Sequence, residues 1–353
     1  MAVTASDIAR KLGISRQTVS KVLVGGKTNV RVSDRMATRI QKVADELGYR
    51  PNTAARLVSQ GRRGSIDLLM STERGSSVLP IALINSIHDK LIGLDLQLTV
   101  TRLPDSQLTD ASYVPKILRE HCADGILINY THHVPVDLPP LLDKHKIPAV
   151  WINIRRENNC VYPDEVAGTR KATEHLLGLG HTKIAFHILS EHGHFSECDR
   201  RLGYELAMRD AGLMPQVVRA GARPRQECDA HPLQDDRLER VLAWLKKPDR
   251  PTAIVAYAPI DTVVIAYAAA QLGLTLGRDL SLVGVSDDGV TNPLGIAMTQ
   301  LVTPQAELGA NGIRMLMRQI ETPALPLDPR PVEVPLTLGH STGRHESTVR
   351  GAR

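Results

Sequence analysis

Residues 4–23, Thr4-Ala5-Ser6-Asp7-Ile8-Ala9-Arg10-Lys11-Leu12-Gly13-Ile14-Ser15-Arg16-Gln17-Thr18-Val19-Ser20-Lys21-Val22-Leu23, set how the amino-terminal part of this chain folds. Thr4 with Asp7 three residues on reads as a capping box that starts a helix. Ile8, Ala9 and Leu12 follow on one face at helical spacing, and Gly13 stands where that helix must stop and turn. Ser15 then caps a second helix whose inward residues are Val19, Val22 and Leu23. Two helices joined by so short a turn form a helix-turn-helix unit. It needs a small residue at the crossing (Ala9), a permissive turn residue (Gly13) and an apolar plug (Val19), and all three occur at the required spacing.

Working outward, Ser33 reads as the cap of a third helix with the stripe Met36, Ile40, Val43, Ala44 and Leu47, ended by Gly48. Residues 1–63 carry 13 Lys/Arg against 4 Asp/Glu, whereas the remainder of the 353 residues carries 30 against 34. A basic head on a mildly acidic body is the charge layout of a nucleic-acid reader.

The exposed start of the second helix places Arg16 and Gln17 ahead of Lys21, one turn later. Recognition helices enter the major groove by their amino-terminal residues, where Arg pairs bidentately with guanine and Gln with adenine. Arg16, Gln17 and Lys21 are therefore the candidate base readers. Thr18, Ser20, Arg31 and Arg35 are assigned to phosphates, which position the head without reading sequence.

Residues 8–23, followed by Glu46-Leu47-Gly48-Tyr49-Arg50-Pro51-Asn52-Thr53-Ala54-Ala55-Arg56, resemble the LacI/GalR transcription regulators. The resemblance runs through essentially the whole chain. It implies a homodimer on a near-palindromic operator in double-stranded DNA, with an allosteric domain for a sugar or sugar-phosphate effector. It also implies that the stretch Asn52, Ala55, Arg56, Leu57, Val58 is a hinge helix that orders on DNA and wedges an apolar side chain into the minor groove. By register the wedge is Val58, with Leu57 beside it as the other candidate. A helix of about two turns is marginal alone in water, and an apolar wedge kinks the duplex.

From Ser65 onward, apolar runs alternate with amphipathic ones. Strands are expected at 66–70, 96–101, 125–129, 149–153, 183–189, 253–257 and 280–285, and helices near 80–92, 111–121, 164–178, 198–211, 235–246, 260–272 and 304–320. That alternation is the mark of an α/β body with parallel sheets, and so many strands divide best into two lobes. The order resembles the type I periplasmic-binding-protein fold, in which three crossovers link two lobes around a ligand cleft. The expected organisation is an all-α head at 1–49, a hinge at 50–63, a two-lobed effector-binding and dimerisation body at 64–340 and a polar tail at 341–353.

Arg200 falls where members of the family place a sugar-binding arginine, and Asp287 where they place a cleft aspartate. Ligands meet open α/β sheets at strand carboxyl ends, which supports these positions independently. Asn153 and Trp151 end a first-lobe strand and are further candidates, Trp151 reading equally as core. The chain departs from the family after the strand at 253–257, where Ala258-Pro259-Ile260-Asp261 replaces the usual Asn-Asp pair and Asp261 is a shifted substitute. Residues 78–81, Val78-Leu79-Pro80-Ile81, lack the family's aromatic pair, so the pocket differs from that of better-matched members.

Other chemistries fit less well. Gly339-His340-Ser341-Thr342-Gly343 matches the GxSxG pattern, but a nucleophile elbow needs an acid and then a histidine downstream, and ten residues remain. His187, His192, His194 and Cys198 cluster without a zinc spacing, reading as a loop above the cleft. No enzyme activity, metal or cofactor is expected. Cys122, Cys160, Cys198 and Cys228 form no CxxC pair, no apolar run approaches a membrane span of roughly 20 residues, and the start lacks a secretory pattern. A cytoplasmic repressor of carbohydrate-use genes is the leading expectation. The alternatives are a global regulator with a protein co-effector and, less in keeping with the basic head, a periplasmic sugar receptor.

Overall fold

Thr4 opens helix α1 (Ala5–Leu12) as the sequence requires: its hydroxyl accepts from the Asp7 N–H, and the Asp7 carboxylate accepts from the Thr4 N–H at 2.9 Å. Gly13 ends the helix at φ 66°, a left-handed conformation that glycine adopts without Cβ strain, and the Ile14 N–H closes back onto the Ala9 carbonyl at 3.1 Å. The Ser15 hydroxyl accepts from the Thr18 N–H at 3.1 Å and so caps α2 (Arg16–Val24). Helix α3 (Asp34–Glu46) begins after Ser33, but the Ser33 side chain makes no capping bond. The Asp34 carboxylate stands in the first turn instead, complementing the positive end of the helix. Ile8, Ala9, Val19, Ile40, Val43 and Ala44 bury together at the centre of this three-helix unit.

In the computed structural model the residues described are 3–24, 31–49, 63–73, 76–108, 123–131, 133–189, 193–219, 236–288, 297–323 and 325–345. The chain divides into two compact units, Met1–Gly64 and Ser65–Arg353. The expected hinge residues Asn52, Ala55, Arg56, Leu57 and Val58, and the expected helix at 111–121, lie outside the described residues.

The second unit holds two six-stranded sheets. The first contains β1 (Ser65–Ser71), β2 (Gln97–Leu103), β3 (Gly125–Ile128), β4 (Ala149–Ile152), β5 (Cys160–Pro163) and β11 (Arg330–Val332), ordered β11-β5-β4-β3-β1-β2. All of its pairings are parallel. The second contains β6 (Ile184–Ile188), β7 (Gln216–Arg219), β8 (Ala253–Ala256), β9 (Ser281–Asp287), β10 (Thr299–Thr303) and β12 (Leu336–Thr337), ordered β12-β10-β9-β8-β6-β7. Only its β10–β12 pairing is antiparallel. Parallel strands need crossovers, and the described ones are α4 (Ile81–Ile92), the short α5 (Asp105–Leu108), α6 (Leu138–Lys144), α7 (Glu165–Gly178), α8 (Phe195–Asp210), α9 (Arg237–Leu245), α10 (Pro259–Gln271) and α11 (Gln305–Glu321).

The inner strands of both sheets are buried on both faces, as parallel sheets require, while the edge strands β2 and β7 are partly exposed. Period-two alternation sends Ile66 and Leu68 of β1 towards α4 and α11, and Leu69 to the opposite core with Ile126, Ile128 and Leu141. Val283 and Leu282 of β9 likewise go to opposite faces of the second sheet. The chain passes between lobes three times: from β5 into α7, from β10 into α11, and from β11 to β12. Strands β5, β7, β10, β11 and β12 were not expected from the sequence. Four are edge or near-edge pieces of two to four residues, too short to show a period.

Residues 341–345, expected to open a polar tail, are tied to the second lobe instead. Ser341 is buried, donating to the Leu282 carbonyl at 2.6 Å and accepting from the Thr299 N–H at 2.9 Å, and the His345 N–H meets the Leu179 carbonyl at 2.8 Å. The GxSxG serine thus spends its hydroxyl tying the chain end to the second sheet.

Helices α7 and α8 cross closely because Gly203 has no side chain: a Cβ there would stand 2.3 Å from the Val166 carbonyl oxygen and 2.9 Å from the Arg170 nitrogen. Both obstacles are backbone and neither can rotate away. Gly203→Ala is expected to cost about 1–3 kcal/mol of stability, the range for overpacking a tight interior. A lowered urea midpoint in equilibrium unfolding is the measurement that checks it.

Candidate functional site

Strands of a parallel sheet deliver their carboxyl ends to one edge, and in the body these edges line a cavity of about 240 Å³ between the lobes. That lies just under the usual span for small-molecule sites, roughly 300–1,000 Å³. Asn129 and Asn153, directly after β3 and β4, enter from the first lobe, with Val78, Pro80 and Leu83 as an apolar wall. Tyr257 after β8, Asp287 at the end of β9 and Thr303 at the end of β10 enter from the second.

Arg200 projects from α8 into this cavity but is only 7% exposed. Its Nε and Nη2 donate to both oxygens of Glu165, the first residue of α7, at 2.7 and 2.6 Å. Its Nη1 donates to the Tyr257 carbonyl at 2.5 Å, and the guanidinium lies 5.5 Å from the Tyr257 ring centre. Burial pulls the Arg200 pKa down, but the charge and hydrogen bonds of Glu165 outweigh it and hold the group above its ordinary value. Burial likewise pushes the Tyr257 phenol up, with the Arg200 charge opposing. A bidentate pair of this kind fixes the guanidinium plane.

Asp287 accepts from the Gln305 Nε2 at 2.8 Å. Its neighbour Asp288 accepts from the Gln305 and Ala306 N–H groups, both at 3.0 Å, and so caps α11 where the chain changes lobe. Asn153 takes a left-handed φ of 58°, and its carbonyl receives His194 Nε2 at 2.9 Å. His194 Nδ1 lies 2.7 Å from the Ser196 hydroxyl, and the Arg155–Asp199 pair at 2.7 Å adds a second tie across the lobes.

Of the five cleft residues expected from the sequence, Arg200, Asp287 and Asn153 line the cavity and two do not. Trp151 is on β4 between Val150 and Ile152, so the pleat turns it to the opposite face of the first sheet. It packs there in the core, with the Arg156 guanidinium 4.4 Å from its ring centre. Asp261 is fully buried in the third position of α10, because Pro259 starts that helix early and turns residue 261 back beneath the sheet. Its Oδ1 accepts from the Leu189 N–H at 2.8 Å and pairs with His187 Nδ1 at 3.0 Å. His187 and His194 therefore serve separate partners; Cys198 is exposed and unpaired, and His192 is outside the described residues.

Sequence reasoning missed Glu165, Asn129, Tyr257, Ser196, Thr303 and Gln305 as cavity residues. Asn129 and Tyr257 were findable, since each closes an expected strand and strand ends are where ligands sit. Glu165 carries no such signal, because its partner is 35 residues away.

In the head, Arg16 and Gln17 are exposed and Ser20 and Lys21 half-buried. At 3.6 residues per turn, Arg16, Gln17, Ser20 and Lys21 fall within one arc of about 140°, while Val19, Val22 and Leu23 fall outside it. Thr18 points away from that arc and stands with its hydroxyl 2.9 Å from that of Ser15. Arg31 and Arg35 are exposed before and at the start of α3. Among the described residues, no helix is long and apolar enough to cross a membrane.

Glu165→Ala would leave Arg200 buried without its counter-charge, and a loss of about 3–5 kcal/mol is expected. The double change Glu165→Leu with Arg200→Met, which removes both charges at similar volume, should be far milder. Chemical unfolding of the two variants beside the parent distinguishes them; equal losses would mean that the ion pair is not what holds α7, α8 and β8 together.

Comparison with known proteins agrees with this layout. Residues 4–52 match the model for bacterial regulatory proteins of the lacI family, and residues 173–342 match the periplasmic binding protein-like domain. The chain is 26% identical over 325 residues to the HTH-type transcriptional repressor PurR of Vibrio vulnificus, covering 90% of this chain and 92% of that protein. It is 24% identical over 321 residues to the catabolite control protein A of Priestia megaterium, with coverages of 90% and 92%. In fold it is similar to the lac repressor dimer bound to operator and an anti-inducer, with a TM-score of 0.75, 20% identity, and 97% of this chain and 99% of that one covered. These relatives are regulators of transcription, not enzymes. The chain thus carries a lacI-family helix-turn-helix domain in its head, followed by a periplasmic binding protein-like domain in its two-lobed body.

Proposed function

We propose that this regulator is a cytoplasmic repressor that binds a near-palindromic operator as a homodimer and is controlled by a small polar, sugar-like effector in the cavity between its lobes. The observation that carries the DNA-reading half is the arc on α2, where Arg16, Gln17 and Lys21 stand on the face opposite the apolar plug Val19, in a segment with no acidic residue in its first turn. Arg16 and Gln17 take base edges, and Lys21 a third base position one turn on. Ser20, Arg31 and Arg35 hold phosphates. Thr18 contributes mainly by shaping the helix start with Ser15. Asn52, Ala55, Arg56, Leu57 and Val58 form the hinge, with Leu57 or Val58 as the minor-groove wedge.

The effector half rests on the cavity with its convergent polar groups Arg200, Asp287, Asn153 and Asn129. Closing the lobes on a ligand shifts the elements that cross between them, and with them the spacing of the two heads in a dimer. Such coupling amounts to about 1–3 kcal/mol and acts on both affinities reciprocally. The sugar-like character of the effector is supported by the hydrogen-bonding side chains Arg200, Asp287, Asn153 and Asn129, which converge on a cavity with an apolar wall of Val78, Pro80 and Leu83.

Arg16→Ala should lower discrimination at one base pair by about 1–3 kcal/mol, seen as a narrowed gap between operator and random DNA in gel-shift titration. If the variant retained the parent's preference, α2 would not be the reading helix. Operator affinity should also fall steeply with salt, by about 0.9 in the logarithmic slope per phosphate neutralised, and Arg35→Ala should flatten that slope by about one. A slope unchanged in Arg35→Ala would remove Arg35 from the phosphate contacts.

A further inference from the structure

We infer that the effector of the inter-lobe cavity carries no negative charge and meets this protein chiefly as a hydrogen-bond donor, an inference that rests on the small-effector reading above. Three observations converge on it.

The first is a set of acceptors left waiting. Asn129 is completely buried, and its Nδ2 donates to the Val78 carbonyl at 2.7 Å, which fixes the amide orientation and leaves Oδ1 without a partner. Gln305 is 4% exposed; its Nε2 is spent on Asp287, so its Oε1 is also without a partner. Both side chains line the cavity. Buried polar atoms are rarely left unpaired, and two orphaned oxygens at one cavity call for donors from a ligand. The remaining carboxylate oxygen of Asp287 is a third acceptor, since that group's hydrogen bond runs from Gln305 to Oδ1.

The second is the charge balance. Among the described residues that line the cavity, Glu165 and Asp287 are anionic and Arg200 is cationic.

The third is where the positive charge goes. Three of the five guanidinium N–H groups of Arg200 are committed, two to Glu165 and one to the Tyr257 carbonyl. A phosphate or carboxylate entering this cavity would meet a guanidinium whose charge Glu165 already matches, and would stand in the same cavity as the Asp287 carboxylate. An ammonium or hydroxyl set against Asp287 meets no such opposition, and the two remaining N–H groups of Arg200 suit a hydroxyl oxygen. The recognised class is therefore an uncharged or cationic, hydroxyl- or amine-bearing molecule.

The test uses the full-length chain and matched probes in three charge classes: neutral hexoses and pentoses, their 2-amino-2-deoxy counterparts, and their terminal phosphates. Each is added at one concentration and read by the shift in melting temperature and by the change in operator gel-shift. The expected order is amino sugar at or above neutral sugar, with the phosphates giving no shift. In Asp287→Asn the advantage of the amine over its neutral parent should vanish, and in Glu165→Gln the discrimination against phosphates should weaken because Arg200 is released. Stabilisation by a phosphate beyond that of its parent sugar overturns the inference, as does an amine advantage that survives Asp287→Asn. If either variant does not fold, the order measured on the parent chain decides alone. Silence of all three classes, with operator binding intact, overturns instead the small-effector reading beneath it.

Discussion

Parallel strands can be wrapped in helices only if each is followed by a return across a face, and that requirement sends all strands of the first sheet, and all but β12 of the second, in the same direction. Carboxyl ends from both sheets then come to a shared cleft, and five strands contribute the residue at or just past their ends. Asn129, Asn153, Tyr257, Asp287 and Thr303 all arrive this way. The three passages of chain between lobes tie the sheets together beside that cleft, so a ligand held by both lobes acts on the segments that connect them.

Within the cleft, the Glu165–Arg200 pair does the positioning. It joins the first turn of α7 to the middle of α8, and through the Tyr257 carbonyl it reaches the end of β8. The close crossing at Gly203 brings the two helices near enough for the pair to form with both oxygens engaged. Burial of two charges is costly in itself, so the pair is better understood as setting the orientation of the arginine than as a source of net stability. Its consequence is electrostatic: Asp287 is left as the carboxylate that the protein itself does not neutralise.

The head follows a simpler rule. Its core residues, caps and turn glycines all act within one or two helical turns of each other, so among the described residues the folded arrangement follows the sequence reading closely, with a carboxylate in the first turn of α3 in place of the expected hydroxyl cap at Ser33. Thr18 is a milder case. Its side chain, the candidate phosphate contact, turns towards Ser15 with the two hydroxyls 2.9 Å apart at the start of α2.

Legibility in the body declines with the distance over which a residue finds its partner. Strand and helix alternation, the carboxyl-end rule and the family motifs were enough to locate Arg200, Asp287 and Asn153, because each depends on position along its own element. Trp151 and Asp261 were misplaced as cavity residues since one step of pleat, or an early proline start, decides which side a side chain faces, and neither shows in a list of residue types. What the amino-acid order alone determined was the basic three-helix head, the α/β alternation and the ends at which a ligand would sit, all of which follow from periodicity and capping between near neighbours. Only the tertiary structure decided that Glu165 claims Arg200 and that Asn129 and Gln305 keep an acceptor in reserve, because those pairings are made by helix crossing and chain passage between residues far apart in sequence.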